Sequence, residues 1–299
     1  MTPFSPNCHL KNVWVEIGRL KIHFSCIHQI LMADLFLKQA RQYAIARPTY
    51  PKELFDFIAS KTSLHDLAWD VGTGSGQAVP HLAKMFKNVI GTDTSEKQLE
   101  HAPKLPNVKY YCQTPTMSLQ ELEQNVASES SVDLITVAQA LHWFDLPKFY
   151  DQVKWALTKP NGVFAAWCYT TPEVNDKVDA VFEPYFKIDS APYWDEARKL
   201  VNDKYMDIYF PFEPIDGLDH TGPFEFKSEM VRNFEDYMTY LRSWSAYVTA
   251  KEKGVELLTD EIVEKFKNAW NDGNDAGEAK VLTYPIYLRI GKVGDLIKG

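Results

Sequence analysis

The 299-residue sequence predicts an α/β protein of the doubly wound class, a mostly parallel sheet flanked by helices. Three observations support this. Between Leu67 and Trp167, short apolar runs and amphipathic stretches alternate five times. The first apolar run ends in Asp70-Val71-Gly72-Thr73-Gly74-Ser75-Gly76 and passes directly into Ala78, Val79, Leu82, Ala83 and Phe86 at helical spacing. A last strand-like stretch, residues 281–290, follows a long helical block.

Each element has a local reason. Leu35, Phe36, Ala40, Tyr43 and Ala44 share one face of a helix over 33–46. Arg47-Pro48-Thr49-Tyr50-Pro51 ends it, because a residue before proline avoids the α region. A second helix is expected over 53–60. Strands are expected over 67–71, 89–93, 108–112, 132–138 and 163–167. Helices lie between them over 78–86, from Ser95, over 118–127 and over 146–157. Beyond Tyr169 the alternation stops. Residues 173–206 pattern as amphipathic helix, and 207–227 are rich in proline and aromatics. Helices follow over 234–249 and 259–270, and strand-like stretches remain at 224–231 and 281–290.

Composition narrows the class of protein. The chain is 45% hydrophobic and 24% charged, which suits one large domain or one with an inserted subdomain. A net charge of −8 without a basic run argues against nucleic acid as the main partner. No apolar run reaches the length of a membrane span, and the four cysteines show no metal or disulfide spacing. A soluble, cytoplasmic protein is expected. Residues 1–31 stand apart, holding three of the eight histidines, with Glu16 as their single acid. They read either as an organelle transit segment or, preferred here, as an extension outside the fold, with residues 32–299 forming the domain. The run over 13–30 shows no clear turn chemistry.

The glycine turn is the candidate ligand site. Glycine lets backbone N–H groups approach a ligand closely. A dinucleotide fingerprint would have glycine or alanine at 77, where Gln77 stands. Asp70, two residues before the first glycine, would repel a pyrophosphate and attract a cation by several kcal/mol, an estimate for charges a few ångströms apart at an effective dielectric of about 20. S-adenosylmethionine carries both a sulfonium and an ammonium, and is a ligand of the kind that Asp70 beside the glycine turn would favour. Asp93 ends the second strand, where a carboxylate can accept from both ribose hydroxyls; its alternative role is to cap the helix starting at Ser95. Met117 reads as a cover for the adenine ring or as simple core. Gln139-Ala140-Leu141-His142-Trp143-Phe144 falls at the carboxyl edge of the fourth strand, where such sheets place ligands.

These residues resemble those of the class I S-adenosylmethionine-dependent methyltransferases, and more closely the trans-aconitate methyltransferase-like branch and its plant relatives. The matching features are Phe36 with Tyr43, Arg47-Pro48-x-Tyr50-Pro51, Asp70 to Gly76, Asp93, Gln139-Ala140-x-His142-Trp143-Phe144 and Leu241-Arg242-Ser243-Trp244-Ser245. The resemblance implies a seven-stranded Rossmann-like sheet whose last strand is antiparallel, with a helical cap inserted at about 173–280. It implies S-adenosylmethionine as cofactor, held by Tyr43, Arg47, Asp70, Gly72, Thr73, Gly74, Gly76, Asp93, Thr94, Met117, Ala138 and Gln139. Trp143, Tyr169, Arg242 and Trp244 would line the site of a small-molecule acceptor. Thr116-Met117 departs from the alanine and acid found in many relatives.

Methyl transfer depends largely on alignment of acceptor and methyl. A carboxylate acceptor needs cations and hydroxyls to hold it, for which Arg47, Tyr43 and Arg242 are candidates. A phenol, amine or carbon acid would need a base, and His142 is best placed. That histidine can equally bind the methionine end or only pack. A binding protein without turnover and a nicotinamide-dependent oxidoreductase are the alternatives. The sequence suggests no metal cluster and leaves the oligomeric state open.

Overall fold

The computed structural model describes residues 14–17, 20–23, 47–271 and 278–294. The helix expected over 33–46, and Tyr43 with it, lies outside the described residues. The chain divides into two units, Met1–Ile45 and Ala46–Gly299. In the first, β1 (Trp14–Ile17) and β2 (Leu20–His23) pair antiparallel, from Trp14 opposite His23 to Ile17 opposite Leu20. Residues 18 and 19, between the two strands, lie outside the described residues.

The second unit is built on seven strands. In chain order they are β3 (Leu67–Val71), β4 (Asn88–Asp93), β5 (Val108–Cys112), β6 (Leu134–Ala138), β7 (Val163–Tyr169), β8 (Phe224–Arg232) and β9 (Lys280–Lys292). Across the sheet the order is β5-β4-β3-β6-β7-β9-β8. The first five run parallel, and β9 is antiparallel to both its neighbours. The order reverses at β3, so the carboxyl ends of β3, β4 and β6 open onto one crevice. All seven residues of β7 are buried, as expected of a strand covered on both faces.

Alternate residues feed two cores. On one face Ala68, Trp167 and Leu134 pack with Leu54, Phe55 and Ile58 of α1 (Lys52–Ser60) and Val79 and Leu82 of α2 (Val79–Met85). On the other, Trp69, Ile135, Val137 and Phe164 meet Leu122 of α4 (Leu119–Asn125) and Phe149 and Val153 of α5 (Leu146–Ala156). The short α3 (Glu96–Glu100) follows β4 and is capped by Ser95 Oγ, which accepts from the Gln98 N–H. Asp133 staples the amino ends of the strands: Oδ2 accepts from the Asp66 and Leu67 N–H groups at 2.7 and 3.1 Å, and Oδ1 from Thr158 Oγ1. The opposite ends are left to hold a ligand.

The cap follows β7 and is less regular than its periodicity suggests. The stretch over 173–206 is broken into α6 (Asp176–Pro184), a π turn at Tyr185–Asp189, a 3₁₀ turn at Ala191–Tyr193 and α7 (Arg198–Asn202). Pro184 and Pro192 lack the N–H that a continuous helix needs. The helix expected over 234–249 is two helices, α8 (Phe234–Arg242) and α9 (Ser245–Glu252). They break at Trp244, whose backbone is extended while its indole is buried among Phe182, Tyr185, Phe186, Trp194 and Tyr240. Burial of a large aromatic surface outweighs one turn of helix. Tyr237 of α8 packs on Phe266 and Trp270 of α10 (Asp260–Asn271).

Candidate active site

The turn after β3 holds Gly72, Gly74 and Gly76 at φ +66°, +56° and +76°, conformations that L side chains rarely adopt. It is tied down by Thr73 N–H to Thr92 O at 3.0 Å and Gly76 N–H to Thr73 O at 2.9 Å. The glycines differ in their surroundings. A Cβ on Gly72 would lie 2.8 Å from Ala140 Cβ, whereas one on Gly74 would meet nothing within 4 Å. Gly74 is therefore where the turn presents bare backbone to open space.

Two carboxylates border that opening. Asp70 is buried, its Oδ2 accepting from Thr73 Oγ1 at 2.5 Å and its Oδ1 from Thr136 Oγ1 at 2.6 Å. Desolvation raises its pKa to about 6; the two hydroxyl bonds pull the other way and the charge of Asp93 adds to the rise. Asp93 is half-buried. Its Oδ2 accepts from the Gly74 N–H at 2.8 Å and its Oδ1 from the Ser95 N–H at 2.8 Å. It thus ties β4 to the glycine turn, and the capping side chain of α3 is that of Ser95. Among the described residues no basic side chain pairs with either acid. Such a cradle suits a cationic ligand with hydroxyls better than a pyrophosphate.

The other residues expected near this ligand are placed variously. Thr94 is exposed, Ala138 is half-buried, and Met117 lies in the core beside Leu122 and Val126. Gln139 has φ +56° at the end of β6. Its Oε1 accepts from the Tyr169 N–H at 2.8 Å and its Nε2 donates to Tyr169 O at 3.2 Å. Its side chain thus fixes the end of β7.

A second set of residues gathers where β6 and β7 meet the cap. Arg47 Nη1 donates to the Tyr169 hydroxyl at 3.1 Å and Nη2 to Ser243 O at 3.3 Å. Tyr169 and Tyr240 each set their rings edge-on to Tyr284, and Tyr240 also meets Trp244 edge-on. His142 lies in the 3₁₀ turn Leu141–Trp143 after β6. Its Nδ1 is 2.8 Å from the Tyr205 hydroxyl. Burial, helped by the charge of Arg198 and opposed by that of Asp195, lowers its pKa to about 4. Trp143 is 55% exposed, with its ring 4.8 Å from that of His142. Arg242 is exposed, and its charge acts on Tyr185 and Tyr247.

The half-buried cation near Tyr169 that sequence reasoning missed is Arg198. Its guanidinium sits 4.7 Å from the Trp194 ring and 5.9 Å from that of Phe186, and its Nε donates to Asn202 at 3.1 Å. Among the described residues no carboxylate pairs with it. Burial lowers its pKa, Tyr240 and Tyr169 oppose the shift, and the charge of Arg47 adds to it. A guanidinium remains protonated regardless. The i, i+4 pair Trp194 and Arg198 was a readable signal; the meeting of Tyr205 with His142 across 63 residues was not. Among the described residues no cluster of His, Cys, Asp and Glu could hold a metal ion, and no helix is long and apolar enough to cross a membrane.

Comparison with known proteins agrees with this geometry. Residues 69–166 match the family described as Methyltransferase domain. A protein of Dictyostelium discoideum named as a methyltransferase is 36% identical over 263 residues, covering 87% of this chain and 95% of its own. A protein of Saccharomyces cerevisiae named as an S-adenosylmethionine-dependent methyltransferase is 26% identical over 241 residues, with 71% and 80% covered. The solved structure of a protein from Anaeromyxobacter dehalogenans, described as a type II methyltransferase, matches with a TM-score of 0.71 and 29% identity, over 84% of this chain and 99% of that one.

Proposed function

This chain belongs to the S-adenosylmethionine-dependent methyltransferases, and we propose that the acceptor it methylates is the carboxylate of a small organic acid. S-adenosylmethionine is the cofactor, and its sulfonium supplies an activated methyl group. The protein's task is to bind, orient and exclude water. Toward the donor, Asp93 has lone pairs left to accept ribose hydroxyls, Gly74 leaves the space, and Asp70 supplies a negative field for the cationic centre.

The observation that carries the acceptor assignment is Arg198, a half-buried guanidinium set against the rings of Trp194 and Phe186 that, among the described residues, pairs with no carboxylate. A guanidinium held partly out of water against aromatic faces is stabilised when a carboxylate joins it, because the two can form charge-assisted hydrogen bonds. The half-buried Trp194 ring beside Arg198 suits an acid with an apolar body. The lowered pKa of His142 supports the same reading, since an imidazole titrating at about 4 is a weak base at neutral pH. A carboxylate is already ionised and needs none. The chain's net charge of −8 supports a small acceptor over nucleic acid. The test is incubation with methyl-labelled S-adenosylmethionine and a metabolite extract, followed by anion-exchange separation. Label should move into products carrying one negative charge fewer than their precursors; label confined to amines, phenols or macromolecules would overturn the assignment.

A further inference from the structure

Lys204 and Tyr205 both lie in the left-handed region, at φ +60° and +57°. For a bulky L residue this costs about 1–3 kcal/mol and persists when the surroundings over-determine it. Tyr205 is fully buried, its N–H donates to Leu200 O at 2.9 Å, and its hydroxyl meets His142. Its carbonyl is held from the sheet. Arg289 of β9, opposite Ala166 of β7, is 8% exposed and donates from Nη1 to Tyr205 O at 2.8 Å and to Met206 O at 3.5 Å. Its Nε donates to Thr221 O at 3.2 Å and its Nη2 to Thr221 Oγ1 at 3.1 Å, with the guanidinium 4.8 Å from the Phe210 ring.

Among the described residues no carboxylate pairs with Arg289. A buried guanidinium satisfied by carbonyls and a hydroxyl is a costly way to pin a loop, and the loop it pins carries the partner of His142. We propose that Arg289 is a positioning residue acting through Tyr205: it locks Tyr205 so that the phenol donates to His142 Nδ1, and the imidazole then presents Nε2–H. That Nε2–H faces the acceptor rests on the acceptor placement proposed above; the lock itself does not. Burial keeps the Tyr205 phenol protonated and able to donate. The other groups that act on the ring are Arg198, Asp195 and the face of Trp143.

Nitrogen-15 NMR of the full-length protein labelled in its histidine rings, with His142 identified by His142→Gln, reads the tautomer directly without acceptor. At pH 7 the wild type should show a protonated Nε2 and an unprotonated Nδ1. Tyr205→Phe should give a mixture of tautomers. Arg289→Met should approach that mixture and Arg289→Lys fall between, while affinity for S-adenosylhomocysteine stays within about twofold. A wild-type Nδ1–H tautomer overturns the proposal whatever the variants do, and so does an unchanged tautomer ratio in whichever Arg289 variants fold. Since no acceptor is present, failure here is distinct from failure of the carboxylate assignment.

Discussion

Replacing Asp70 with Asn tests the electrostatics of the donor side. Asp70 is buried and its pKa is raised from an ordinary 3.8 to about 6 by desolvation. A group whose folded pKa is raised contributes stability when protonated. That contribution is complete below about pH 3.8 and is lost as pH rises through about 6. At 1.36 kcal/mol per pH unit the difference is worth about 3 kcal/mol. Without ligand, Asp70→Asn should therefore gain stability relative to wild type between pH 4 and 7 by an amount of that order. Donor binding should show the opposite face of the same charge. A cationic ligand favours the ionised form, so wild-type affinity for S-adenosylmethionine should rise by up to about 100-fold over the same range and then level off. In Asp70→Asn that rise should vanish. Thermal unfolding and calorimetric titration from pH 4 to 7.5 measure both. A donor affinity that is flat in wild type, or equally pH-dependent in Asp70→Asn, would refute the pairing of this carboxylate with the donor's charge.

Further outcomes follow from individual contacts. Asp93→Ala should weaken donor binding by roughly 1.5–3 kcal/mol, measured by calorimetry, and lower Tm, because the Gly74 and Ser95 N–H groups lose their acceptor. Gly72→Ala should cost more stability than Gly74→Ala, since its Cβ would press on Ala140, whereas Gly74→Ala should chiefly lower donor affinity by filling open space; denaturant unfolding and titration separate the two. With a carboxylate acceptor and saturating donor, turnover should be flat above about pH 5, and His142→Ala should lower it only modestly. A rise centred between pH 6 and 7.5 that His142→Ala abolishes would establish a base. A chain shortened to begin at Met32 should melt within a few degrees of the full chain and bind donor equally.

Much of the donor side was legible because its signals are local. The turn from β3 through Gly76 is set by consecutive residues, and Asp70 and Asp93 fall at strand ends that period-two and continuous apolar patterns locate. The cap was less legible for the opposite reason. Helical periodicity runs unbroken through 234–249, so nothing local announces that Trp244 leaves the helix to join Phe182, Phe186 and Trp194 from another segment. Arg242 and Arg198 make the same point. The matching string suggests the first for the acceptor site, and its side chain is exposed at the end of α8, whereas the second was passed over because Tyr169 and Arg47, whose charges act on it, lie far off in sequence. The Arg289, Tyr205 and His142 contacts join three elements across the unit, and no window along the chain contains them.

The most direct measurement is the chemical lability of the product. Protein is incubated with methyl-labelled S-adenosylmethionine and a pool of small organic acids, and the labelled product is treated with mild alkali. A methyl ester should release its label as volatile methanol, quantitatively and at the rate of ester hydrolysis. Label that stays on the product after alkali would be an ether, amine or carbon methyl, and would contradict methylation of a carboxylate.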